Sequence, residues 1–210
     1  MKKAELYQII ETYLNTDNTL ETTTQRGSSI EQCINQITLF PADIIIEACH
    51  EQLNQVNSAP DAEISLLLLL DSLQMQSPEY AFDILKIALL HPSTEDKEFY
   101  ANGLGQYPQE QVSAIFIEAI PKIKPFDSYS GYALEKILDK LLSWRVPLDK
   151  PIIKHLLKDP AFRVQRLIIP YVLNHEPISY KRELKKLLAN DDIYDDDIAN
   201  QVKQVLDNLP

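Results

Sequence analysis

Apolar residues recur along the chain at helical spacing, in blocks three or four turns long. The last block is the plainest: Ile198, Ala199, Val202, Val205, Leu206 and Leu209 fall at i, i+1, i+4, i+7, i+8 and i+11 and form one stripe. The block at 61–75 differs, because Ile64 through Leu70 is apolar nearly all round. A helix of that kind has to be covered on most sides. No stretch alternates apolar and polar long enough to form a strand ladder.

Corner residues divide these blocks at a regular interval. Gly27, Pro60, Pro92, Pro125, Pro160 and Asp191 are spaced 33, 32, 33, 35 and 31 residues apart. A period of that length holding two helices predicts an α-solenoid, in which stacked helix pairs bury one another. The six predicted pairs are 3–14 with 28–39, 42–56 with 61–75, 78–90 with 94–106, 109–122 with 128–143, 149–158 with 161–174, and 178–189 with 195–208. Ser28 and Glu31 have the spacing of a capping box. Ser77-Pro78-Glu79 places a cap, a proline at the first helical position and an anion in the first turn, and Asp159-Pro160 repeats the start of that pattern.

Leu156-Leu157-Lys158-Asp159-Pro160, followed by Val164, Leu167, Ile168, Tyr171 and Val172, resembles a HEAT repeat. In that family paired leucines end the first helix, an Asp-Pro corner follows, and the second helix carries a Val-Arg pair. Gln165 stands where the family has Arg, between Arg163 and Arg166, a departure from the family's inter-repeat Asp–Arg ladder. Leu89-Leu90-His91-Pro92 keeps the corner and Leu187-Leu188-Ala189-Asn190-Asp191 keeps the leucines. The resemblance implies one HEAT-like superhelical domain over 1–210, of about six helix pairs, whose second helices line a concave side. It implies no single function.

Composition agrees with helices. Four glycines against 13 prolines suit helices joined by proline corners better than sheets. Cys33 and Cys49 form no CxxC metal pair, and two thiols cannot staple a secreted chain of this length, so both are expected buried and reduced. Glu5, Gln8 and Glu11 interrupt any signal-peptide core, and the apolar run Leu66–Leu70 is too short to span a bilayer. The expected location is the cytoplasm.

Charge is unevenly placed. Residues 1–105 hold 5 Lys/Arg against 16 Asp/Glu, residues 122–186 hold 14 against 7, and residues 187–210 hold one against six. An acidic front repels phosphate and attracts basic partners.

No constellation of catalytic residues stands out. Glu47-Ala48-Cys49-His50 is a single Glu-x-x-His where a di-iron site needs two, so His50 is expected on a helix surface. Gly103-Leu104-Gly105 is too short for a phosphate loop and is expected to permit close helix packing. Asp191, Asp192, Asp195, Asp196 and Asp197 lack the glycine and the twelfth-position Glu of an EF-hand and are expected to cap the last helix. Trp144 is expected in packing. The expectation is a non-enzymatic protein-binding scaffold without cofactor or metal, in its sharper form an immunity- or antitoxin-like protein that neutralises a basic partner. The residues expected to meet that partner are Glu63, Glu95, Asp96 and Glu98, with Tyr100 and Tyr107 as aromatic anchors. The alternative is a DNA-binding protein resembling bacterial alkylpurine DNA glycosylases. It would use the basic stretch of Lys136, Lys140, Arg145, Lys150, Lys154, Lys158, Arg163 and Arg166, but the acidic front would repel phosphate.

Overall fold

The computed structural model describes residues 2–17, 23–123 and 130–209. Helix makes up 78% of the structure, and no strand occurs among the described residues. The chain forms two compact units, Met1–Asp96 and Lys97–Pro210.

The first unit holds α1 (Lys3–Asp17), α2 (Thr23–Ile37), α3 (Ala42–Gln55), α4 (Ala62–Gln76) and α5 (Pro78–Leu90). Helix α4 packs against α2, α3 and α5, while α1 packs on α2. Most of the all-round apolar segment is covered: Leu66, Leu68, Leu69, Leu70 and Leu73 are buried and Leu67 is half-buried, while Ile64 near the helix start and Met75 near its end are exposed. Each such leucine contributes about 1.5–3 kcal/mol of transfer free energy. The serines of α4 satisfy themselves on backbone. Ser65 Oγ donates to Asp61 O (2.8 Å), and Ser72 Oγ donates to Leu68 O (2.8 Å) and across to Ile34 O of α2 (3.3 Å). Cys33 and Cys49 are buried and free, and burial pushes their thiols up to about 11 and about 12, so neither is a nucleophile at neutral pH.

The second unit holds α6 (Lys97–Leu104), α7 (Gln109–Ala119) running into a 3-10 turn at Ile120–Lys122, α8 (Ser130–Ser143), α9 (Lys150–Leu156), α10 (Phe162–His175), a 3-10 turn at Pro177–Tyr180, α11 (Lys181–Ala189) and α12 (Asp196–Asn208). Here α8 packs on α6, α7 and α10, and α10 packs on α9 and α12. A Cβ at Gly105 would stand 3.1 Å from Lys140 Cε of α8, so this glycine does permit a close approach. Trp144 stacks on Phe116 with centroids 6.2 Å apart, a packing role.

Helices occupy all six predicted pairs, with corrections at particular ends. Gly27 is not a corner: it lies inside α2, exposed, and the Ser28–Glu31 capping box is therefore a mid-helix pair. The corner at Pro125 lies outside the described residues. Asp159 does not cap α10, whose N-cap is Ala161; its Oδ1 instead accepts from Ala161 N (2.8 Å). Aspartate side chains cap the starts of α9 and α12: Asp149 Oδ1 accepts from Ile152 N (2.9 Å), and Asp195 Oδ1 accepts from Asp197 N (2.9 Å) and Ile198 N (3.1 Å). Helices α8 and α11 end in the same motif, a residue in the left-handed region flanked by reversed backbone bonds. Arg145 (φ 56°) has Val146 N donating to Leu141 O, and Asp191 (φ 57°) has Asp192 N donating to Leu187 O. A glycine-poor chain thus uses Arg and Asp where glycine is usual.

Leu68→Asp should place an unpaired charge between α4 and its neighbours, at a cost of about 4 kcal/mol or more. Thermal melting followed by circular dichroism should show an unfolded or strongly destabilised protein; a wild-type melting curve would show that this face of α4 is not buried.

Candidate partner-binding surface

The six residues expected to contact a partner divide between the two units. Glu63, Glu95 and Asp96 belong to the first; Glu98, Tyr100 and Tyr107 belong to the second. Their individual environments differ sharply.

Glu63 sits in the first turn of α4, and its carboxylate faces the chain's own backbone. Oε1 accepts from the amides of Glu95 and Asp96 (2.9 Å each), and Oε2 also accepts from Glu95 N (2.9 Å). The corner after α5 is completed by buried Thr94, whose Oγ1 donates to Ala88 O (2.6 Å) and His91 O (3.2 Å). Glu63 is therefore a clamp on this corner, and the clamp leaves the side chains of Glu95 and Asp96 exposed. Tyr100 corrects the expectation differently. It is 0% exposed and meets Phe99 edge-on at 5.7 Å, so it is a core residue and no anchor for a partner. Glu98 and Tyr107 are half-buried.

A clamp of the same kind occurs in the second unit, where Gln165 takes the position of the expected arginine. Its side chain is buried; Nε2 donates to Asp192 O (2.7 Å) and Oε1 accepts from Tyr194 N (3.4 Å). The flanking arginines turn elsewhere. Arg163 Nη1 donates to Glu135 Oε2 (2.9 Å) and Arg166 Nη2 to Glu135 Oε1, while the Arg163 guanidinium lies 4.0 Å from the Tyr132 ring centroid. Glu135 is buried, so both arginines flanking Gln165 are engaged by one buried carboxylate. In sequence Glu135 gives no sign of this, because its partners lie 28 and 31 residues away.

Charge follows the division into units. The first unit carries 4 Lys/Arg against 15 Asp/Glu, and the second carries 16 of each, so the whole net charge of −11 resides in the first. Lys3, one of the four basic residues there, is held by Glu47 (2.8 Å) and Glu51 (2.6 Å), and Tyr7 donates its hydroxyl to Glu51. The hydrogen bonds from Lys3 and Tyr7 hold the Glu51 carboxyl below its usual range, and burial first, then Glu51, pushes the Tyr7 hydroxyl up to about 12. Glu11, Glu31, Asp43, Asp61, Glu79, Asp83, Glu95 and Asp96 are exposed and give the surface of this unit its sign.

Among the described residues no group of three or more His, Cys, Asp or Glu side chains could hold a metal ion, and His50 is exposed on α3. No helix among them is long and apolar enough to cross a membrane. No family model, curated protein or solved structure matches the chain.

Asp159 is a buried titratable group of the second unit. It is 3% exposed, its Oδ1 is held by Ala161 N, and its Oδ2 has no protein partner among the described residues. Burial raises its carboxyl above the usual carboxylate range, against the lowering effects of the Ala161 amide and His155. A folded-state pKa above the unfolded one contributes stability at low pH, and that contribution is lost as pH rises through the ordinary carboxylate range to the folded value. Asp159→Asn keeps an acceptor for Ala161 N and removes the desolvated charge. It should raise stability at neutral pH by about 1 kcal/mol, and the gain should shrink as pH is lowered toward the ordinary carboxylate range. Melting temperatures of both proteins across pH check this; a gain independent of pH would contradict it.

Proposed function

We propose that the chain is a non-enzymatic, HEAT-like α-solenoid scaffold whose acidic first unit captures a partner with a basic surface, in the manner of an immunity or antitoxin protein. The observation that carries this reading is the confinement of the entire net charge to Met1–Asp96, displayed on a unit whose core is fixed by α4. Carboxylates on a rigid surface raise the encounter rate with a basic partner, and their effect is read in association kinetics more than in contact area.

The solenoid part of the proposal is supported by the period of the helix pairs and by packing between second helices, α2 on α4 in one unit and α8 on α10 on α12 in the other. Further support comes from the clamps. Glu63 near the start of α4 holds the corner 32 and 33 residues on, and Gln165 near the start of α10 holds the one 27 to 29 residues on. A stack of pairs needs a bond of this kind at each corner, since a corner's backbone donors and acceptors have no helical partner. The contact residues are Glu95 and Asp96 with the neighbouring exposed carboxylates of the first unit. Glu63 acts indirectly, by holding the backbone that presents them.

Binding to the natural partner should depend steeply on salt. Raising ionic strength from about 0.1 M to about 1 M shortens the screening length from ~10 Å to ~3 Å, and the association rate should fall about tenfold or more. Reversal of charge at Glu95 and Asp96 should slow association more than it speeds dissociation in stopped-flow measurements. Equal binding at both salt concentrations would count against the proposal. So would a partner mapped to the basic 122–186 stretch, DNA above all.

A further inference from the structure

Helix α4 is apolar on nearly every side, so the strip that its neighbours leave uncovered is apolar as well. Ile64, Leu67, Asp71 and Met75 follow one another at intervals of three, four and four residues and therefore share one helix face. Ile64 and Met75 are exposed, and Leu67 and Asp71 are half-buried. Leu39 prolongs the strip, because Gln76 donates to the carbonyls on either side of it, those of Thr38 (3.0 Å) and Phe40 (2.8 Å). Leu39 and Met75 are 69% and 67% exposed, more than any other large apolar side chain described in the first unit. Asp71 stands in the middle of this strip. Among the described residues nothing donates to its carboxylate and no basic side chain pairs with it. Burial raises its carboxyl above the usual carboxylate range, with no donor or cation to lower it.

We infer that the basic partner lands on this strip, and that Asp71 takes an arginine side chain whose neighbours on the partner are aliphatic. A half-buried carboxylate among apolar side chains loses its remaining water when a partner closes over Leu67 and Met75. That loss is offset by a cation that the partner brings, since no described side chain of this chain supplies one. A guanidinium suits the place better than an ammonium, being more weakly hydrated and able to bond both carboxylate oxygens. The aliphatic neighbours follow from Leu39, Ile64 and Met75, whose apolar surface only a partner covers. A second acidic unit would set carboxylates against Asp71, so charge favours a basic partner over pairing of first units between two copies. The inference rests on the reading of a basic partner and names the point of closest contact. Glu95 and Asp96 speed the encounter, whereas Asp71 acts once the surfaces have met and slows their separation.

The test uses the full chain and two blocked tripeptides, leucine-arginine-leucine and leucine-citrulline-leucine, the second being the neutral isostere. NMR shifts of the Met75 methyl group and of the Leu67 and Asp71 amides should move saturably with the arginine peptide. The citrulline peptide should bind more weakly by roughly tenfold or more. Asp71→Asn breaks no hydrogen bond among the described residues and should melt no lower than the parent. It should bind both peptides equally, at the level of the citrulline peptide on the parent. Met75→Ser, at an exposed position, should weaken both peptides alike. Equal affinity of the parent for the two peptides, a preference for arginine kept in Asp71→Asn, shifts confined to other residues, or no shift at millimolar peptide would each overturn the inference. So would sedimentation showing a dimer of the chain that Met75→Ser abolishes, since a second copy would then be the occupant. Such a result would leave the capture by Glu95 and Asp96 standing, since that is read in the association rate of the natural partner.

Discussion

A helix with apolar side chains on nearly every side has no face to turn to water, and α4 is such a helix. Its leucines, half-buried Leu67 apart, are dry only because α2, α3 and α5 stand around it, and none of those three could cover it alone. The flanking helices can therefore be one-sided and keep their outer faces polar. Unusually for a buried helix, α4 also carries two serines, and both are accommodated by donating to carbonyls within reach, one of them across to α2. The acidic surface of the first unit is thus a consequence of how its apolar residues are shared. Concentrating leucines in one central helix leaves the exposed positions of its neighbours open to carboxylates.

Corners are the second requirement. Where a helix pair closes, backbone donors and acceptors lose their helical partners, and in this chain side chains from another helix supply them. Glu63 gives its carboxylate to the amides of Glu95 and Asp96, Gln76 donates to the carbonyls of Thr38 and Phe40, and Gln165 holds both Asp192 and Tyr194. Charged hydrogen bonds of the Glu63 kind contribute about 1.5–3 kcal/mol each. They also commit that carboxylate to backbone amides, so the same residue cannot serve the corner and a partner equally.

Helix positions were legible in the sequence wherever a proline fixed the start, as at Pro78, or an aspartate capped it, as at Asp195. Gly27 misled because a glycine on an exposed helix face looks the same in sequence as one at a turn, and Ser28 with Glu31 reproduced the spacing of a cap within a continuing helix. The proposed surface was legible as charge but not as roles. Nothing local distinguishes Glu63 from Glu95, since the difference lies in amides 32 residues away. Tyr100 resembles an exposed aromatic among charged neighbours, and only the packing of α6 on α8 takes it into the core. The engagement of Arg163 and Arg166 by Glu135 was hidden for the same reason, although it removes two members of the basic stretch that favoured nucleic acid.

Shared burial around α4 has a consequence for dynamics as well. If no neighbour of α4 is stable without the others, the first unit opens as a whole. Native-state hydrogen exchange on the full chain measures this directly. The amides of α4 should be the slowest in the unit, and those of buried segments in α3 and α5 should converge on the same opening free energy as denaturant is added. Exchange of α3 or α5 through separate, low-energy openings, with α4 still protected, would contradict the account.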